Sequence, residues 1–335
     1  MLKVSVIMPV HNQERYIAAA VQSILSQTFR DFEFVIVDDG STDRTVEIIE
    51  SFKDKRIRLF RDDHKGFLAA LRRACSEAGG EWLARMDSDD VCPSDRLAKQ
   101  IAFLDSHPEC IFLTTTYGIV TPNDKYLAPG SSNGWIYLKP SDITHGKKLF
   151  CDPGSIFQRK IALSLHYDDS LPVETPLWYG FLSAGKGVLM DEPLYYARWR
   201  LGSLSRGQMD NAREINRMAR VRYDPENAGV AATETNGKLN LKNEKRAVYF
   251  CAAAGDYSAA RKTAFAVWKR HPFRLVAYKL LLAASGLQRR NNVEGPCKTN
   301  FIPIPNPLKS PRPGINSSKT VLSSERQNLN GRSLG

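Results

Sequence analysis

Short apolar runs alternate with amphipathic stretches over the first 115 residues. Residues 4–10 form a continuous β-rich run. Residues 14–27 place Tyr16, Ile17, Ala20, Val21, Ile24 and Leu25 on one helical face. A second strand is predicted over 34–37, followed by a short helix over 42–52 that buries Val46, Ile49 and Phe52. A third strand is expected at 57–60. Residues 67–78 then align Leu68, Leu71 and Cys75 on a helix stopped by Gly79-Gly80. A fourth strand at 82–86, a helix at 94–104 and a fifth strand at 111–115 complete the series. Alternating βα units imply a mainly parallel sheet covered by helices on both faces.

The alternation stops there. Residues 116–206 mix short strands with Gly- and Pro-containing loops, as in the acceptor half of an α/β enzyme. Residues 207–222 read as a polar helix, 224–240 as a linker, and 241–288 as a small helical segment. That segment resembles one tetratricopeptide-like repeat, with the turn Gly255-Asp256-Tyr257 between its helices. From 289 to 335 Pro, Ser, Asn and Arg dominate, and the composition predicts a disordered basic tail.

Charge narrows the class. The 335 residues carry a net +11, but eight Lys/Arg against two Glu lie in residues 289–335. The remainder is only mildly basic, which disfavours nucleic acid as a partner. Six scattered cysteines form no C-x-x-C pair, so structural zinc is not expected and a reducing cytoplasm fits better than secretion. Met1-Leu2-Lys3 runs almost directly into the first strand, leaving no room for a signal peptide, and no apolar run approaches the roughly 20 residues of a spanning helix.

Two strand ends carry the chemistry. The run 82–86 ends in Asp87-Ser88-Asp89-Asp90, and the run 34–37 ends in Asp38-Asp39-Gly40. Crowded carboxylates repel one another, and a hard divalent cation shared with substrate phosphates is the readiest reason for them to cluster. Ligands of open α/β sheets bind beyond the carboxyl ends of the strands. The βα reading places Asp38, Asp39, Asp87 and Asp89 there, beside Pro9-Val10-His11-Asn12.

These stretches, in this order, resemble the family 2 glycosyltransferases. The resemblance rests on Val4-Ser5-Val6-Ile7-Met8-Pro9-Val10-His11-Asn12, Ser23-Ile24-Leu25-Ser26-Gln27-Thr28-Phe29, Val37-Asp38-Asp39-Gly40-Ser41-Thr42-Asp43, and Met86-Asp87-Ser88-Asp89-Asp90 with Pro93-Ser94-Asp95-Arg96-Leu97. It implies a GT-A-type, Rossmann-like α/β catalytic domain over 1–223, with a nucleotide-sugar-binding half at 1–115. It also implies a nucleotide-diphospho-sugar donor, most readily a UDP-sugar, and inversion at the anomeric carbon. Pro9, Val10, His11 and Asn12 would line the nucleoside pocket, with His11 flanking the base. Asp39 would accept from the base, and Asp38 would brace the loop or the ribose. Asp87 and Ser88 would approach the ribose, and Asp89, with Asp87, would ligate Mn²⁺ or Mg²⁺.

An inverting transfer also needs a general base. The family places an acidic pair before a helical Leu-Trp, and here Pro172-Val173-Glu174-Thr175-Pro176-Leu177-Trp178 retains only Glu174. Glu174 is therefore the candidate base, with Asp168 and Asp169 as fallbacks. Arg198 and Arg200 replace a stretch where the family often carries His, and a loop there could close on the donor diphosphate. The acceptor would be a saccharide or lipid-linked, at the inner face of a membrane, in polysaccharide or glycolipid assembly. Lys269, Arg270, Arg274 and Lys279 among apolar residues make the C-terminal helices candidates for peripheral membrane contact. Two other readings stand beside this one. A catalytically silent binding module would explain the altered acidic pair. A nucleotidyltransferase would need a Gly-rich, Lys/Arg-bearing first loop, which His11-Asn12-Gln13-Glu14 lacks.

Overall fold

The computed structural model describes residues 2–121, 123–129, 131–132, 134–139, 153–165, 175–198, 257–270, 302–304 and 306. The first half alternates as the pattern predicts: β1 (Val4–Val10), α1 (Ile17–Leu25), β2 (Phe32–Asp39), α2 (Thr45–Ser51), β3 (Ile57–Asp62), α3 (Phe67–Glu77), β4 (Trp82–Arg85), α4 (Arg96–Ser106) and β5 (Cys110–Val120). There follow β6 (Tyr126–Ala128), β7 (Trp135–Tyr137), β8 (Ile156–Gln158), α5 (Arg159–Ser164), α6 (Thr175–Ala184), β9 (Lys186–Arg198), α7 (Tyr257–Arg270) and β10 (Ile302–Ile304).

β3, β2, β1 and β4 are neighbours and parallel. Alternate β2 residues enter two cores, as burial on both faces requires. Phe34 and Ile36 pack on one side with α1 and α4, while Val35 and Val37 pack on the other with α3 and α6. The same alternation sends Asp38 and Asp39 to opposite faces of the rim.

The sheet goes beyond the sequence pattern in three places. β5 does not lie against β4: the three-residue β8 stands between them, antiparallel to both. So short a strand has no readable period. β5 also runs five residues past its predicted end, because Thr114, Thr115 and Thr116 are buried in the sheet despite their hydroxyls. Finally, residues 302–304, expected to lack order, form β10 on the outer side of β6. Of the expected helical segment only α7 is described, and the linker 224–240 lies outside the described residues.

Candidate active site

The rim beyond β1, β2 and β4 is built mainly by hydrogen bonds between its loops. Asn12 sits at φ 50, a left-handed turn that Asn tolerates. Its Oδ1 accepts from Thr42 N at 2.8 Å, and its Nδ2 faces His11 Nε2 at 3.1 Å. Those contacts set the imidazole tautomer: His11 Nδ1 carries the proton and donates to the Asp39 carbonyl at 2.8 Å. Asn12 thus fastens the two loops together, and its side chain is used by protein.

Asp38 and Asp39 are both buried but differ in saturation. The Asp39 carboxylate accepts from Lys65 N at 2.7 Å and Gly66 N at 3.0 Å, and meets His64 Nδ1 at 3.0 Å. It thereby holds the turn that starts α3. Asp38 Oδ2 accepts from Ser41 N at 3.1 Å, whereas Oδ1 is buried with no partner. A buried orphan acceptor at a rim is a seat for a ligand donor such as a hydroxyl or an N–H. Gly40 makes this packing possible: its φ is +71, and a Cβ there would lie 2.9 Å from His64 N.

His64 stacks on His11 with ring centroids 4.3 Å apart. The two imidazoles form a wall beside Asp38 and Asp39, ready for a flat heterocycle. Among the described residues, His11, Asp39 and His64 are also the group whose candidate ligand atoms all lie within 4.8 Å. Hydrogen bonds already account for that closeness.

The acidic loop after β4 is held from behind. Asp87 Oδ1 pairs with the buried Arg85 Nη2 at 3.1 Å. The Asp87 amide donates to Tyr195 Oη at 3.1 Å, and the same hydroxyl bonds the Asp90 carboxyl. Burial, then the neighbouring charges of Asp89 and Asp87, push Asp90 well above the usual carboxylate range. The loop is therefore a concentration of negative potential, with Asp87 and Asp89 half-buried and facing outward of Asp90. One or two carboxylates completed by phosphate oxygens is the way Mg²⁺-type ions are commonly held, so the donor set fits such an ion.

Residues 5–164 match the family model described as Glycosyl transferase family 2. This segment is a family 2 glycosyltransferase domain. A putative glycosyltransferase of Bacillus subtilis, EpsE, is 41% identical over 109 residues, 31% of this chain and 39% of that protein. The Escherichia coli UDP-Glc:alpha-D-GlcNAc-diphosphoundecaprenol beta-1,3-glucosyltransferase WfgD is 35% identical over 130 residues, 38% of this chain and 51% of that protein. The matches span 21% to 42% of the length of the first curated relatives. The fold is that of S. aureus TarS 1-349, solved in complex with UDP-GlcNAc: TM-score 0.55, 21% identity, 85% of this chain and 80% of that one.

Within this glycosyltransferase domain the structure brings together Pro9, Val10, His11, Asn12, Asp38, Asp39, Asp87, Ser88 and Asp89 on one rim. Glu174, Asp168, Asp169 and Arg200 lie outside the described residues. Arg198 departs from expectation: it does not ride a loop but ends β9 and is buried. Its Nε donates to the Asp89 carbonyl at 2.8 Å, its Nη1 to Asp124 Oδ1 at 2.8 Å, and its guanidinium lies 4.7 Å over the Tyr16 ring. Those fixed acceptors account for its place in the wall. Sequence reasoning missed Arg85, Arg96, Tyr195 and His64. Arg96, fully buried, donates to the Arg85 carbonyl at 2.8 Å and lies near those of Pro153 and Ser155. It sits inside a stretch that carries the family resemblance, so its position had a signal although its role had none.

Proposed function

We propose that the chain is an inverting, metal-assisted glycosyltransferase that moves a sugar from a UDP-sugar to an acceptor hydroxyl. The observation that carries this reading is the pairing of two acidic strand ends on one rim. Asp38 and Asp39 lie beside the stacked imidazoles, and Asp87 and Asp89 lie one strand beyond β1. This is the layout a nucleoside at one end and a diphosphate at the other would need. A UDP donor is favoured by the UDP-Glc donor of WfgD and the nucleotide sugar bound in TarS.

In this reading the base stacks on the outer, exposed side of the His11–His64 pair, Asp39 orients their loops and accepts from the base, and Asp38 Oδ1 takes a ribose hydroxyl. Asp89 and Asp87 would hold Mn²⁺ or Mg²⁺, which supplies Lewis acidity to the departing diphosphate. Arg85 holds the Asp87 carboxylate, and Tyr195 and Arg198 hold the backbone that carries both acids. Glu174, directly before α6, is the proposed base that takes the acceptor proton, with Asp168 and Asp169 as substitutes. The acceptor is proposed to be a saccharide or lipid-linked glycan at the cytoplasmic face of a membrane. Cys75, Cys92 and Cys110 are buried and form no disulfide, which suits a reducing compartment.

Calorimetric titration of UDP into the purified protein, with Mn²⁺ or with EDTA, tests the site. Metal-dependent binding in the wild type, reduced at least tenfold in Asp89→Ala, is the expected result. Metal-independent binding that Asp89→Ala leaves unchanged would sink the metal-assisted reading and favour a silent binding module.

A further inference from the structure

β10 belongs to a stretch whose composition argues against order, yet it is paired into the sheet. Ile302 stands opposite Ala128, Pro303 opposite Leu127 and Ile304 opposite Tyr126. A proline has no amide proton to give a further neighbour, so it belongs on an edge strand. Pro303 suits β10 to cover β6 without offering a fresh edge of its own.

What β6 carries gives this cover a purpose. β6 is the return strand of a tight hairpin from β5, with Ile119 opposite Leu127 and Val120 opposite Tyr126. Thr121 N bonds the Lys125 carbonyl at 2.8 Å across the turn, and Asp124 sits at φ 57. The turn presents two acceptors to Arg198 Nη1: the Thr121 carbonyl at 3.1 Å and Asp124 Oδ1 at 2.8 Å. Arg198 in turn holds the acidic loop, through Nε to the Asp89 carbonyl and through its backbone N–H to Asp90 Oδ1 at 2.6 Å. Tyr126 meets Tyr196 edge to face at 5.8 Å, and Val91 bridges to Tyr196. A continuous ribbon therefore runs β10–β6–β5–β9 to Val91, the residue that closes the acidic loop. β6 is three residues long and joined to β5 through two register pairs, so without β10 it would be a short, exposed edge of the sheet.

We propose that residues 302–304 are a positioning strap for the acidic loop. By fixing the hairpin 119–128 they keep Thr121 and Asp124 against Arg198, and so keep Asp89 where a phosphate-bound cation would need it. The loop's purpose rests on the glycosyltransferase reading; the mechanical coupling does not.

The test uses the full chain, as wild type, as Ile302→Asp/Ile304→Asp, and as Asp124→Ala. Amide hydrogen exchange and Mn²⁺-dependent UDP titration are measured on each. The double substitution is expected to speed exchange at 119–128 and at 87–91 together, to leave 32–37 protected, and to weaken UDP binding about threefold to tenfold. Asp124→Ala cuts the link midway, so it should free 87–91 while the β6 amides stay protected. Faster exchange at 119–128 with 87–91 unmoved would overturn the strap, as would no change at 119–128. If the wild type binds no UDP at all, the functional reading fails, and the exchange pattern still decides the coupling.

Discussion

Tyr195 joins two parts of the acidic loop through one oxygen. It accepts from the Asp87 amide and bonds the buried Asp90 carboxyl. Tyr195→Phe keeps the ring but strands both groups, and should cost about 1–3 kcal/mol in denaturant unfolding. It should also weaken Mn²⁺-dependent UDP binding. Loss of stability with binding intact would show that the loop does not need the hydroxyl for its geometry. Gly40→Ala is a second residue-scale case. The added methyl meets His64 N and the backbone is left-handed, so a loss of about 1 kcal/mol or more is expected, with a displaced His64 amide resonance. At this scale the acids were legible, because Asp38, Asp39, Asp87 and Asp89 follow apolar strand runs directly. Tyr195 was not, and Arg198 was marked for a loop role that it does not take: their partners lie 108 or 109 residues away, beyond any local pattern. The imidazole wall was half legible, since His11 sits in a recognised stretch and His64 does not.

Elements are tied together by a few buried ends. Arg56 Nη2 donates to the Leu25 carbonyl at the end of α1, and its guanidinium lies 4.6 Å over Phe32. Asp54 grips the same guanidinium, and that hydrogen bond holds its carboxyl down to about 2. A depressed acid stabilises the fold above its unfolded value of about 3.9, and this support fades as pH falls towards about 2. Allowing for partial exposure, Asp54→Asn should cost about 1 kcal/mol at pH 6. The gap between wild type and variant in urea unfolding should narrow steadily below pH 4; a gap independent of pH would remove the carboxylate from the account. Among elements, the βα series was legible from period alone, with helix starts drifting two or three residues because the loops bearing Asn12 and Asp43 stay outside the helices. β9 was hidden for another reason. Pro193 interrupts its pattern and falls where the pairing with β5 slips, as proline in a sheet requires.

On the scale of the molecule, acid and base are segregated. The rim gathers carboxylates while the chain as a whole carries +11. Part of the excess lies on α7, whose fourteen residues contain no acid. Ala260 and Ala264 are buried there, and Arg261, Lys262, Phe265 and Lys269 are exposed, with Lys269 Nζ 4.9 Å over the Phe265 ring. Basic and aromatic residues on one helical face suit an anionic lipid surface, at about 1 kcal/mol per cation. Flotation with vesicles containing phosphatidylglycerol should therefore exceed flotation with neutral vesicles, and Lys262→Glu/Lys269→Glu should remove most of the difference. Equal flotation of the variant would discard this face as a membrane contact. No helix among the described residues is long and apolar enough to cross a membrane.

The pairing of β10 with β6 also imposes an order in time. Ile302 must find Ala128, synthesised about 170 residues earlier. At about 5–20 residues per second, that is a wait of roughly 10 to 35 s on the ribosome. The parallel strands that carry Asp38 and Asp87 are all made before β6, and they can settle in that interval. A chain halted before residue 302 would thus display the rim at Asp38 and Asp39 finished and its acidic loop still loose. Translation would then complete the rim at Asp38 and Asp39 first and the acidic loop at 87–90 last.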